Sequence, residues 1–155
     1  MSASPLESLV PAALWRRLAA IVYDSFLVFA IWIIVGSIVL SAFGITEART
    51  IDGGAIVLEP LYKNTLFAAM LLSAYLFFGW FWTHSGQTLG MQAWRIKVQN
   101  VDGSAISWLQ TLQRLGCAPV AFLCAGVGYF WMLIDARQRT WPDLLSRSVV
   151  VKLPI

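Results

Sequence analysis

From Leu18 to Leu40 nearly every position is apolar, a run long enough to cross a bilayer, where about 20 residues suffice. It predicts a first helix from near Ala13 to about Phe43, stopping before Gly44. A second run, Asn64 to Trp82, is framed by Tyr62 and the Trp80/Trp82 pair as interfacial anchors. A third, Trp108 to Ile134, is cut by Pro119 and carries Gly126 and Gly128 beyond it. The stretches between are polar and differently patterned. Residues 44–62 read as an extramembrane loop with a short hairpin around Asp52-Gly53-Gly54. "SGQTLGMQAW" suggests a short interfacial helix after a glycine turn. "WRIKVQNVDGS" alternates apolar and polar residues and ends in an Asp-Gly turn, which reads as a strand. The closing "SVVVKLPI" reads the same way, and two lone strands are best satisfied by pairing with each other. The expected fold is an all-α membrane protein with about three hydrophobic helical segments and a small cytoplasmic β-strand pair.

Composition supports that class. The chain is 59% hydrophobic and 12% charged, against roughly 45–50% and about 25% in soluble domains, and its mean hydropathy is +0.71. Eight tryptophans suit membrane–water interfaces. The net charge of +3 does not indicate nucleic acid, because the basic residues are scattered at the ends of apolar segments rather than clustered. Cys117 and Cys124 are seven apart in an apolar stretch, about 10.5 Å along a helix, which is too far for a disulfide. The first apolar run is longer than a signal-peptide core and is interrupted by Asp24, so it is expected to remain as a membrane helix. One histidine, no metal-ligand spacing and no nucleophile–base set argue against an enzyme, a metal site or a cofactor.

The positive charges bear on topology. Arg16 and Arg17 precede the first span; Arg95, Lys97 and Arg114 follow the second; Arg137, Arg139, Arg147 and Lys152 follow the third segment; only Arg49 and Lys63 lie between the first two spans. The positive-inside rule then places the N-terminus, the region after span two and the tail in the cytoplasm. A single third crossing would break that pattern, and a re-entrant hairpin bent near Pro119 would keep it. Against the hairpin, Leu115 to Ile134 is itself about one span long.

Asp24 is the chain's anomaly. A carboxylate two turns into an apolar helix costs about 2.5–3.5 kcal/mol on insertion scales. Arg17 and Asp24 are seven apart and share a helix face with an axial offset of about 10.5 Å. Two readings stand. In one, Asp24 belongs to a buried charge cluster that locks helix packing, held by Arg17, Arg114 or a tail arginine. In the other it lines a watery path and takes up a proton or a monovalent cation. Asp143 reads equally as a helix-start cap after Trp141-Pro142 or as a ligand near Arg139 and Arg147, and Asp135 as an interfacial charge balanced by Arg139. His84 reads as a polar tip at the end of span two. Gly86 and Gly90 suit a tight turn and a close helix contact; no lysine follows them as a phosphate loop would require.

Taken in order, Arg17 and Asp24 in the first helix, Gly86, Thr88 and Gly90 in "GQTLGMQAWRIKV", the Asp102-Gly103 turn and Asp143 in "DARQRTWPDLLSRSVVV" resemble the RDD family of small bacterial membrane proteins. The resemblance covers roughly residues 12–152 as a single domain, with 1–11 as a short lead-in. It implies a three-segment inner-membrane protein, with transport proposed and cation/proton antiport reported for some members. Pro142 stands where a histidine often precedes the aspartate, and "SRS" at 146–148 replaces the usual Ala-Gly-Thr. The expected partners are the lipid bilayer, other copies of the chain or other membrane proteins, and possible H⁺ and monovalent cations. Gly36/Ser37/Ser41 and Ala68/Ala69/Ser73 are candidate close-packing faces. The leading function is transport-related, proton-coupled monovalent cation movement through a buried Arg/Asp site. Its rival is a structural or accessory subunit whose charges serve helix assembly.

Overall fold

The computed structural model describes residues 10–44, 49–52 and 55–154. Most of the lead-in and the glycines of Asp52-Gly53-Gly54 lie outside them. In chain order the elements are α1 (Leu14–Phe43), β1 (Arg49–Asp52), β2 (Ala55–Leu58), α2 (Pro60–His84), α3 (Leu89–Ala93), β3 (Ile96–Asn100), α4 (Trp108–Leu123), α5 (Val127–Phe130, continued by a 3₁₀ turn Trp131–Leu133), α6 (Trp141–Leu145) and β4 (Ser148–Lys152). They divide into two compact units: the chain up to Ser25 with everything from Phe78 onward, and Phe26–Phe77.

α1 and α2 are long and apolar enough to cross a membrane, at 30 and 25 residues. Proline opens α2, where its missing N–H is harmless. The N–H of left-handed Gly44, at φ +78°, bonds Leu40 O just past the end of α1. Within Phe26–Phe77 three serines turn back on their own helix, the arrangement suited to an apolar surrounding: Ser37 Oγ donates to Ile33 O, Ser41 Oγ to Ser37 O and Ser73 Oγ to Met70 O. Trp32 Nε1 crosses from α1 to α2, donating to Met70 O at 3.0 Å. β1 and β2 pair antiparallel, Asp52 opposite Ala55, so a hairpin stands where the loop pattern placed one.

The other unit is built on a sheet. β3 and β4 pair antiparallel with Ile96 opposite Lys152 and Asn100 opposite Ser148, the pairing expected from their alternation. The lead-in adds a third edge: Lys152 N donates to Val10 O and Ala12 N to Val150 O, with Pro11 bridging Val151. Ala12, Ala20, Met91, Ile96, Val98, Ile106 and Val150 close the core, with Trp82 and Trp94 packed against it.

Pairing decides the third segment. β3 precedes it and β4 follows it in one sheet, and a segment with both ends held in one sheet cannot cross a bilayer an odd number of times. The segment therefore begins and ends on the same side as the sheet. The bend is not near Pro119, as the sequence suggested. Pro119 lies inside continuous α4, and the chain turns by 109° in the break between Leu123 and Val127. A proline removes one hydrogen bond and kinks a helix. Reversal needs more, and consecutive left-handed residues supply it, Ala125 at φ +52° and Gly126 at +75°. Gly128 then lets α5 lie directly on α4, since a Cβ there would fall 2.8 Å from Ala121 Cα.

Candidate functional site: two buried aspartates

Arg17 sits one turn into α1, where the helix passes the sheet, and is 6% exposed. Its Nε donates to Ala12 O at 2.9 Å, Nη2 to Gln138 O and Val150 O at 3.2 Å each, and Nη1 to Asp143 Oδ2 at 2.5 Å. Asp143 is fully buried in the first turn of α6. There it also accepts Thr140 N–H at 3.0 Å, the reach-back of an N-terminal acidic cap. Its other oxygen accepts Arg114 Nη1 at 2.7 Å. Arg114, from α4, also donates to Ser148 Oγ and lies 5.2 Å over the Trp82 ring. Burial works against the charge on Asp143, but the Arg114 and Arg17 guanidinium groups outweigh it and hold the carboxyl below the usual range. One carboxylate thus ties together α1, α4, α6 and, through Ser148, β4.

Asp24 is elsewhere. It is 4% exposed and accepts the Thr88 hydroxyl on Oδ2 and Gly90 N–H on Oδ1 at 2.9 Å. The glycine motif builds this contact. Gly86, left-handed at φ +73°, ends α2 and turns the chain. Thr88 caps α3, accepting Met91 N–H at 3.2 Å while donating to Asp24. Gly90 lacks the Cβ that would lie 2.5 Å from Ala20 O and 2.8 Å from Asp24 Oδ1. The carboxylate therefore rests on one amide in the first turn of α3 and on the hydroxyl that caps it.

The shared face of Arg17 and Asp24 does not make them partners. The axial offset is left unbridged, and each finds a better-placed group from a distant element. Arg114 likewise goes to Asp143, and among the described residues no basic group forms an ion pair with Asp24. Asp135 is held by Arg139, Nη2 to Oδ1 and Nε to Oδ2 at 3.0 Å each, which takes its pKa down to about 2. Arg147 is exposed and left-handed at φ +52°. His84 stacks on Trp80 at 4.0 Å and bonds Trp80 O. Sequence reasoning noted Ser146 and Ser148 only as a departure from the family pattern, and it passed over Thr140 beside the clamp and the direct Thr88 bond to Asp24. For Thr88 a signal existed, since a threonine before a short helix is a cap with a free hydroxyl hydrogen. Among the described residues no group of three or more His, Cys, Asp or Glu side chains could hold a metal.

The two aspartates differ in what they can do. Asp143 is neutralised and saturated, and it serves as a structural clamp. Asp24 faces neutral donors alone, so it can change its charge by taking up a proton or cation without breaking an ion pair. The chain matches the RDD family model over residues 11–147. Searches among curated proteins and among solved structures returned no match. With that match spanning most of its length, the chain is a membrane protein that belongs to the RDD family.

Proposed function

We propose that this is a transport-related protein of a bacterial inner membrane, with Asp24 as the group that takes up a proton or a monovalent cation during the cycle. One observation carries the reading: a carboxylate inside a candidate span, 4% exposed and held by a hydroxyl and a backbone N–H with no counter-charge. Intramembrane carboxylates are expensive and are retained where they move charge. Thr88 Oγ suits either state of Asp24. It donates to the carboxylate, and its remaining lone pair can accept from the protonated acid. Arg17 enters as framework, fixing the start of α1 through Asp143. Two membrane helices enclose little polar volume, so the working unit is taken to be a homo-oligomer. With Arg49 and Lys63 the only basic residues between α1 and α2, the sheet side is assigned to the cytoplasm.

The rival is an accessory subunit that only assembles. It is favoured by the clamp, whose two arginines and aspartate are all committed to holding chain segments together. Everted vesicles carrying wild type, Asp24→Asn or Asp24→Glu separate the two. The transport reading expects Na⁺, Li⁺ or K⁺ to dissipate the pH gradient in wild type, Glu to keep part of the response, and Asn to abolish it at equal abundance and oligomer size. A silent wild type, or a mutant lost from the membrane, removes the support for transport and turns attention to partner proteins.

A further inference from the structure

Between the clamp, the loop before α6 and the sheet lies a cavity of about 510 Å³ lined by Arg17, Arg137, Arg139 and Arg147, with Asp143 at its back and Leu144 on its wall. Its charge is unbalanced. Asp143 is shared by Arg17 and Arg114, and Asp135 is taken by Arg139. Among the described residues Arg137 and Arg147 have no side-chain hydrogen bond or ion pair, so two guanidinium groups face the cavity unneutralised. Arg147 holds that place in a left-handed backbone that favours glycine, and Gln138, also on the wall, is left-handed too. The surroundings are oily as well. Leu133 and Ile134, just before Asp135, are 68% and 80% exposed, and Leu145 beside Leu144 is 56% exposed. In a chain with two membrane-crossing helices, bare aliphatic side chains next to bare arginines mark the boundary between hydrocarbon and water.

We propose that this cavity binds the phosphate of an anionic phospholipid headgroup. Arg137 and Arg147 would provide the charge-assisted hydrogen bonds, and acyl chains would run over Leu133, Ile134 and Leu145. Guanidinium matches phosphate oxygens in a two-pronged geometry that lysine lacks. Basic pockets at the cytoplasmic membrane face hold anionic headgroups in this way, and the volume falls in the range of small-molecule sites, roughly 300–1,000 Å³. This inference does not depend on Asp24 or on transport.

The test uses the full chain in neutral-lipid nanodiscs. It reads retained phosphatidylglycerol by native mass spectrometry and the unfolding temperature as phosphatidylglycerol replaces phosphatidylcholine. Wild type is expected to prefer the anionic lipid at least tenfold and to gain thermal stability with it. Arg147→Gly is the decisive variant, because glycine relaxes the left-handed backbone while removing the charge. It should fold as well as wild type and bind about fivefold more weakly; with Arg137→Gln added the loss should reach about 30-fold, each arginine near the membrane surface contributing about that much. Lys63→Gln, outside the cavity, should leave the preference intact. No wild-type preference, or an equal loss in Lys63→Gln, overturns the site. Glycerol 3-phosphate or inorganic phosphate binding as tightly as the lipid overturns the lipid assignment in favour of a soluble phosphate.

Discussion

Asp24 and Asp143 are both carboxylates withdrawn from water, and the molecule treats them in opposite ways. Asp143 lies where α1, α4 and α6 converge beside the sheet and receives two guanidinium groups and a backbone amide. Asp24 lies two turns further along α1 and receives a hydroxyl and a backbone amide. The first is a carboxylate matched by two cations; the second has no charged partner among the described residues. A resemblance that joins an arginine and two aspartates suggests one cluster, whereas the fold makes one clamp and one solitary acid. The neighbours that separate them come from different parts of the chain, Arg114 for one and the Thr88–Gly90 turn for the other.

The clamp should show the largest effect. Asp143→Ala leaves Arg17 and Arg114 buried without a counter-charge, and breaking a buried pair in this way costs about 3–5 kcal/mol. Loss of folded protein in detergent, followed by tryptophan fluorescence on heating, is the expected result. An Asp143→Ala protein that melts within 1 kcal/mol of wild type would mean the clamp is not what holds α1 to α6. The pH dependence has a definite sign. The folded Asp143 carboxyl is held below its usual value. Its contribution is therefore fully present above about pH 4 and is lost only as the pH falls through the lower, folded value. Between pH 5 and 8 the clamp should not titrate.

Much of this was legible in the residues, unevenly. Two spans, the short helix after the glycine turn and the β3–β4 pair follow from apolar length, glycine placement and alternation, which are local signals. That β4 must return to β3 even anticipates the route of the third segment. The bend was misplaced because proline is the loudest breaker in the alphabet, while Ala125-Gly126 turns the chain through backbone angles that an alanine does not advertise. The site was harder still. Arg17 and Asp24 share a helix face, and nothing local reveals that the arginine's partner lies 126 residues away. Asp143 was visible both as a cap and as a candidate ligand, and it is a cap that also takes two arginines.

The next effect falls on the other aspartate. Gly90→Ala puts a Cβ 2.5 Å from Ala20 O and 2.8 Å from Asp24 Oδ1. Either α3 shifts off α1 or Asp24 gives up the Gly90 N–H. Overpacking of this kind costs about 1–3 kcal/mol, and any cation response should weaken with it while the clamp stays intact. A Gly90→Ala protein of wild-type stability and response would show that Asp24 does not need the α3 amide, and the contrast with Asp143 would then rest on Thr88 alone.

The smallest effect belongs to a third aspartate, which calibrates the other two. Asp135 meets Arg139 four residues on, in a bidentate pair near the surface. The bond from Arg139 brings its pKa to about 2 from 3.8, a depression of the same sign as at Asp143. Yet an ion pair this close to water, outside any helix, is worth only about 0.2–1 kcal/mol, because solvent competes for ions that are only partly covered. Asp135→Asn should therefore shift the melting midpoint barely at all at pH 7. Whatever stability the pair gives should be present above about pH 4 and fade as the pH falls through about 2, and 0.5 M salt should erase it. If Asp135→Asn instead approached the loss seen at Asp143, coupling through Arg139 to the arginine-lined cavity would follow, since Arg139 forms part of its wall. An arginine released from Asp135 is also one more cation for an anionic headgroup, so the same variant should bind phosphatidylglycerol no more weakly than wild type. That outcome would separate the pair that merely tethers a loop from the arginines proposed to bind lipid.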